Sequence, residues 1–191
     1  IQNAIGDICL IADDDIIYVK DFDQFVLDTF YNSNKAGIIS FQMEDENGNL
    51  FKNYTKILYH NKKSIEQVNS VVISFRRAIV LENKLFFNPN FGLGATFEAG
   101  DEYIFLRSAL KCNLMILHEP KTILIHNYKS SGRDASKAKL IFARAALFYK
   151  YTCYLAYLRL VKYVLYYHFY KIISRDEIVS KILIGLKGIK K

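Results

Sequence analysis

The apolar segment Ile8-Cys9-Leu10-Ile11-Ala12 runs directly into Asp13, Asp14 and Asp15, and that junction narrows the folds open to this chain. Three adjacent carboxylates repel one another, so placing them at the mouth of a buried strand costs stability unless a cation or a positive group neutralises them. In open α/β sheets ligands gather beyond the carboxyl ends of the strands, which is where such a strand would deliver these groups. Hard oxygen ligands favour Mg2+ or Mn2+, usually completed by water and a substrate phosphate. The junction reads either as a metal site serving a phosphorylated substrate or as a solvated acidic turn.

The pattern that follows favours an α/β sheet. Residues 7–12 read as a strand, and 21–31 as a helix with Phe22, Phe25, Val26 and Phe30 at helical spacing. Residues 36–43 predict a second strand, and Glu46-Asn47-Gly48-Asn49 a type I′ hairpin turn leading into a two-stranded excursion. Residues 70–75 predict a further strand, passing through Arg76 and Arg77 into a short helix that ends near Asn83. The glycine-punctuated loop from Asn88 to Gly94 then delivers the chain to a helix over about 99–111.

Asp101 and Glu102 stand in the first turn of that helix. Acidic residues there stabilise the helix dipole. In one domain with an acidic cation site and a glycine loop, the pair also suits a transferase using a phosphorylated donor, in which a metal neutralises the leaving phosphate and a carboxylate deprotonates the attacking hydroxyl. His126 ends the β-branched run Thr122-Ile123-Leu124-Ile125 and is followed by Lys129, Ser130, Ser131 and Arg133, a cluster suited to phosphate. Arg76 and Arg77 read equally as phosphate ligands or as a solvated helix start. His60, His118 and His168 have no such context.

These motifs resemble the family 2 glycosyltransferases of GT-A fold. Residues 3–15 look like the lead-in to the family's Asp-x-Asp motif, Phe91-Gly92-Leu93-Gly94 and Gly100-Asp101-Glu102 like its acceptor-side loop and acidic pair, and 120–126 with Ser130-Ser131-Gly132 like the strand and loop that close the site. The resemblance implies a GT-A-like mixed α/β sheet over residues 1–133, without the N-terminal units that hold the nucleotide base. If the chain is complete as given, donor binding should be weak or absent. It further implies Mn2+ or Mg2+ held by Asp15, Asp13 and His126, a donor contacted by Asp13, Asp14 and Arg133, and an acceptor contacted by Gly92, Leu93 and Gly94. Glu102 or Asp101 would be the base; the family's usual order is Glu then Asp, and here it is inverted. The expected reaction is inverting transfer from a nucleotide-diphosphate sugar, a UDP-sugar above all, to a glycan or lipid-linked acceptor in cell-surface polysaccharide synthesis. Another metal-dependent transferase such as a nucleotidyltransferase, or a non-catalytic membrane-docking remnant, stays open beside it.

Charge separates the two ends of the chain. Residues 1–136 hold 14 Lys+Arg against 17 Asp+Glu, whereas 137–191 hold 12 against 2. The boundary is expected near Gly132-Arg133-Asp134, so that 134–191 form a basic, Tyr-rich extension of amphipathic helices. The uncharged stretches Tyr151–Leu158 and Tyr163–Tyr170 are far shorter than the roughly 20 residues of a bilayer span. Such helices can lie on an anionic membrane, pack on the catalytic domain, or pair with a second subunit. No nucleic-acid motif accompanies the charge. Ser174-Arg175-Asp176-Glu177 predicts a capping box opening a last helix over 175–186. Cys9, Cys112 and Cys153 are odd in number and widely spaced, which fits a reducing cytoplasm better than a disulfide framework, and the resemblance with the basic tail implies a place at the inner face of the plasma membrane. The chain lacks an initiator Met and reads as a piece of a longer protein.

Overall fold

A computed structural model describes residues 1–54, 56–127 and 137–191. Packing divides the chain into two compact units, Ile1–Phe87 with Glu102–Ser130 and Asn88–Asp101 with Ser131–Lys191.

The first unit is a mixed sheet of five strands, β1 (Ile8–Leu10), β2 (Ile16–Tyr18), β3 (Ala36–Glu44), β4 (Ile73–Arg76) and β5 (Met115–His126), in the order β1-β4-β3-β5-β2. β3 runs parallel to β5, while β4 is antiparallel to both β1 and β3, and β2 is antiparallel to β5. Eight of the nine β3 residues are buried. That is why its sequence reads as an apolar run rather than an alternation: both faces of a central strand are covered. Three helices belong here: α1 (Phe22–Asn32), α2 (Arg77–Glu82) and α3 (Asp101–Lys111). α1 buries Val26 and Phe30, α2 buries Val80, and α3 buries Ile104, Phe105, Leu106 and Ala109, all in one core with Ile38, Phe41, Ile73 and Ile123. Between Ser40↔His118 and Gln42↔Thr122 the register slips by two residues on β5. Pro120 lies in that bulge, where no ladder hydrogen bond is asked of it.

Three local expectations need correction. At the hairpin turn only Gly48 has a positive φ, of 79°, so the turn is not type I′. Asp45 organises it instead, its carboxylate accepting from the backbone N–H of Asn47 and Asn49, each at 2.9 Å. Among the described residues the two-stranded excursion reduces to isolated bridges, Glu44↔Leu50 and Tyr59↔Leu117. The strand expected over 70–75 begins at Ile73, because Ser70–Val72 form a 3-10 turn.

Ser40 and Gln42, polar residues on the buried β3, lead to two histidines that the sequence left without context. Ser40 Oγ lies 2.7 Å from His60 Nε2 and 3.2 Å from His118 Nδ1, while Gln42 Nε2 lies 3.3 Å from His118 Nε2 and Ser64 Oγ 3.1 Å from His60 Nδ1. One proton arrangement satisfies the chain with both rings neutral. The Gln42 amide donates to His118 Nε2, His118 Nδ1–H donates to Ser40, the Ser40 hydroxyl donates to His60 Nε2, and His60 Nδ1–H donates to Ser64. Burial, then the neighbouring His118, then Lys52 push the His60 pKa down to about 4, and burial also lowers that of His118. The unfolded chain takes up these protons first, near pH 6.5, so full stability is present above that pH and is lost as the pH falls toward 4. Urea unfolding at pH 7 and pH 5 should show a loss of about 1–2 kcal/mol from His60, allowing for its partial solvation, and His60→Gln should flatten the pH dependence. An unchanged slope in that variant would remove His60 from the account.

The second unit contains α4 (Ala138–Thr152), α5 (Leu155–Phe169) and α6 (Glu177–Lys190), around a core of Ile141, Ala145, Ala156, Leu160, Val164, Tyr167, Ile173 and Ile189. α4 and α5 are separate helices because Cys153, at φ 47°, breaks the chain between them. The last helix begins two residues later than expected and runs four further. Only half of the capping box forms: the Glu177 carboxylate accepts from both the N–H and the hydroxyl of Ser174, each at 2.9 Å. Residues 88–101, which the sequence places in the first domain, pack in this unit. Phe97 stacks on Phe91 and Phe142, and Gly100 fits against Leu147. The boundary expected at Gly132-Arg133-Asp134 lies outside the described residues.

Candidate active site

The two outer strands of the sheet are joined by residues 11–15 alone. In a flat sheet, strands at positions one and five lie about 19 Å apart. Six Cα steps reach at most about 20 Å, and a turn at Asp14–Asp15 uses part of that length. The linker nonetheless joins them, so the sheet is not flat between its edges, and the register slip between His118 and Thr122 marks a bend in β5 on the way to its pairing with β2. The acidic run is therefore not a free loop but a crossing at the end of the sheet.

That crossing brings Asp15 to His126. Ile16 pairs with His126 across β2 and β5, so the residue preceding Ile16 emerges beside the imidazole. Asp15 Oδ1 lies 3.6 Å from His126 Nε2, and ligand atoms of Asp13, Asp15 and His126 all fall within 4.8 Å of one another. Asp14 is not a member of this cluster. Both aspartates are exposed and the histidine is buried. His126 Nδ1 donates to the Asn127 carbonyl at 2.9 Å, and its other ring nitrogen, Nε2, faces Asp15. Phe51 meets the imidazole edge-on, with ring centroids 5.7 Å apart. Donor atoms in an octahedral shell stand about 3 Å apart along an edge and about 4 Å across it. The three ligand atoms, within 4.8 Å of one another, are near that spacing, and two carboxylates with one imidazole are donor types that Mn2+ or Mg2+ takes.

Glu102 stands on α3, and sequence reasoning missed its neighbour Lys52. The Lys52 ammonium donates to the Gln67 carbonyl and the Asn69 side chain. Burial lowers its pKa to about 8, partly offset by the charge of Glu102. Phe51 and Lys52 are adjacent, so one short segment touches both the imidazole and the electrostatic surroundings of Glu102. Only the structure could reveal this, because neither residue belongs to a motif.

Asp101 has a different neighbourhood. A Cβ built on Gly92, whose φ is 113°, would come within 3.2 Å of the Asp101 carboxyl carbon. The glycine is required both by its backbone angle and by this close approach. Gly92 N–H donates to the Phe97 carbonyl and Phe97 N–H to that of Asn90, each at 2.9 Å, so 90–97 is a closed loop. Leu93 sits at its tip, 85% exposed, and Gly94, at φ 78°, faces open space. Arg76 is committed elsewhere: its guanidinium donates to the carbonyls of Ala36 and Phe30 and lies over the Phe30 ring, which closes the end of α1. Arg133, with Lys129, Ser130 and Ser131, lies outside the described residues.

No known family profile and no curated protein matches the sequence. Among solved structures the chain is similar to residues 1–349 of S. aureus TarS, a family 2 glycosyltransferase, with TM-score 0.56 and 12% identity over 98% of this chain and 58% of that one. A longer S. aureus TarS structure gives TM-score 0.50 and 16% identity over 92% of this chain and 30% of that one. The fold is glycosyltransferase-like. At these identities the likeness speaks for the fold alone, and the chain spans little more than half of the shorter TarS structure. A mixed five-stranded sheet carrying an acidic crossing at its end fits the GT-A-like class.

Proposed function

We propose that this chain carries the metal and acceptor side of a metal-dependent, inverting glycosyltransferase that moves a sugar from a nucleotide diphosphate, UDP above all, to a glycan or lipid-linked acceptor. The observation that carries the reading is the convergence of Asp13, Asp15 and His126 at the end of a GT-A-like sheet. Asp15 and His126 would hold Mn2+ or Mg2+, with Asp13 completing the set or turning toward the donor together with Asp14. The metal, when bound, supplies charge neutralisation for the departing diphosphate. Glu102 accepts the proton of the acceptor hydroxyl as that oxygen bonds to the anomeric carbon and the bond to the diphosphate oxygen breaks. Attack from the face opposite the leaving group inverts the anomeric centre without a covalent intermediate. Asp101 has the other duty: packed against Gly92, it braces the 90–97 loop, the segment that the resemblance assigns to the acceptor.

Release of nucleoside diphosphate from a panel of UDP- and GDP-sugars, with Mn2+, tests this. Glu102→Gln should lower turnover by about 10²–10⁴-fold while leaving Mn2+ binding unchanged, and Asp101→Asn should act mainly on acceptor KM. Full turnover in Glu102→Gln would move the base elsewhere. Release that does not depend on Mn2+, or that survives Asp15→Ala, would sink the reading for this chain.

A further inference from the structure

Helix α5 has two apolar stripes where a surface helix needs one. Ala156, Leu160, Val164 and Tyr167 face the core of the second unit. On the opposite side Leu158, Val161, Leu165, Tyr166 and Phe169 line an open groove together with Lys162. Leu158 is 70% exposed and Phe169 80%. Tyr154 and Tyr170 are exposed at the two ends of the helix, and Arg159 borders the stripe. An uncovered stripe of this length marks an interaction surface.

The charge around it selects the occupant. From Lys137 to Arg175 the chain has eight Lys or Arg and no Asp or Glu. A second copy docked on the same stripe by two-fold symmetry would set Arg159 and Lys162 against their own counterparts with no carboxylate between them. An anionic headgroup layer supplies the missing countercharge, accepts the aliphatic residues a few ångströms deep, and suits Tyr and Phe at the boundary. Among the described residues no helix is long and apolar enough to cross a membrane. The stripe can only lie along one.

We infer that the outward stripe of α5, from Leu158 to Phe169, docks the protein flat on an anionic lipid surface through its aliphatic and aromatic residues, with Arg159 and Lys162 on the headgroups. This assignment is independent of the catalytic reading.

Co-sedimentation of the full chain with phosphatidylcholine vesicles, with and without phosphatidylglycerol, tests it, alongside sedimentation velocity without lipid. The expected result is binding that requires phosphatidylglycerol and is released by high salt. Arg159→Gln with Lys162→Gln should weaken it about 30-fold, at roughly 1 kcal/mol per charge near the surface, and Phe169→Ser about tenfold. All three residues are exposed, so circular dichroism should show an unchanged fold. Binding that ignores phosphatidylglycerol, or that survives both variants, overturns the inference. Absence of vesicle binding overturns it as well, and a lipid-free dimer dissolved by Phe169→Ser would then assign the stripe to a second copy.

Discussion

Asp15→Ala is expected to weaken Mn2+ binding by about 100-fold or more under the proposed reading, because it removes a charged group from the three that converge among the described residues. Asp15 is the member of the cluster whose carboxylate faces His126 Nε2, at 3.6 Å. Asp14→Asn is the matched control, since it removes a carboxylate from the same acidic run but from outside the cluster. Titration followed by the Mn2+ electron paramagnetic resonance signal reads both without any donor sugar, so the result does not depend on how the nucleotide base is held. Equal losses in the two variants would mean that the run attracts cations only as a diffuse charge. A loss confined to Asp15 would establish a coordinated ion and make His126→Ala, at about 10–100-fold, the next variant.

The second large effect concerns folding. Gly188 lies where α6 meets α4, and a Cβ built there would stand 2.2 Å from the Phe142 carbonyl oxygen. A backbone atom of a packed helix cannot step aside, so Gly188→Ala should force the two helices apart and cost about 2–4 kcal/mol. Gly185 is the informative comparison. Its Cβ would meet the Leu160 side chain, 2.3 Å from Cδ1, and a leucine tip can change rotamer. Ala also gains about 1 kcal/mol of helix propensity over Gly at either position. Gly185→Ala should therefore cost only about 1–2 kcal/mol, and thermal unfolding separates the pair. A Gly188→Ala protein more stable than the parent would show that propensity alone governs and that α6 is not seated against the α4 backbone.

Elements set by local periodicity were legible in the sequence. α1 was readable from the spacing of Phe22, Val26 and Phe30, and β3 from an unbroken apolar run, because these signals are local. The convergence of Asp13, Asp15 and His126 was readable in part. Asp13 and Asp15 announce themselves within a run of three carboxylates, and His126 was reached through resemblance, yet the register Ile16↔His126 that joins them spans more than a hundred residues and leaves no local trace. The same limit hid the His60–Ser40–His118 chain, whose members come from three separate segments. The turn at Asn47-Gly48 was misread for a different reason. The Asn-Gly preference is a statement about isolated hairpins, and the Asp45 carboxylate outcompetes it by supplying two hydrogen bonds of its own. The break between α4 and α5 was not legible, because nothing in the composition around Cys153 forecasts a positive φ there.

Surface connections ordinarily accept insertions and deletions, since closing a longer loop costs little. Residues 11–15 are an exception written into the strand order. One residue fewer should pull β2 by one position against β5. Side chains alternate along a strand, so such a slip would turn Ile16 and Tyr18 to the opposite face and carry Asp15 away from the imidazole. The spacing between the apolar run and the third carboxylate is thus a measure of length as much as of chemistry, and variation among related chains should substitute residues within these five positions while keeping their number.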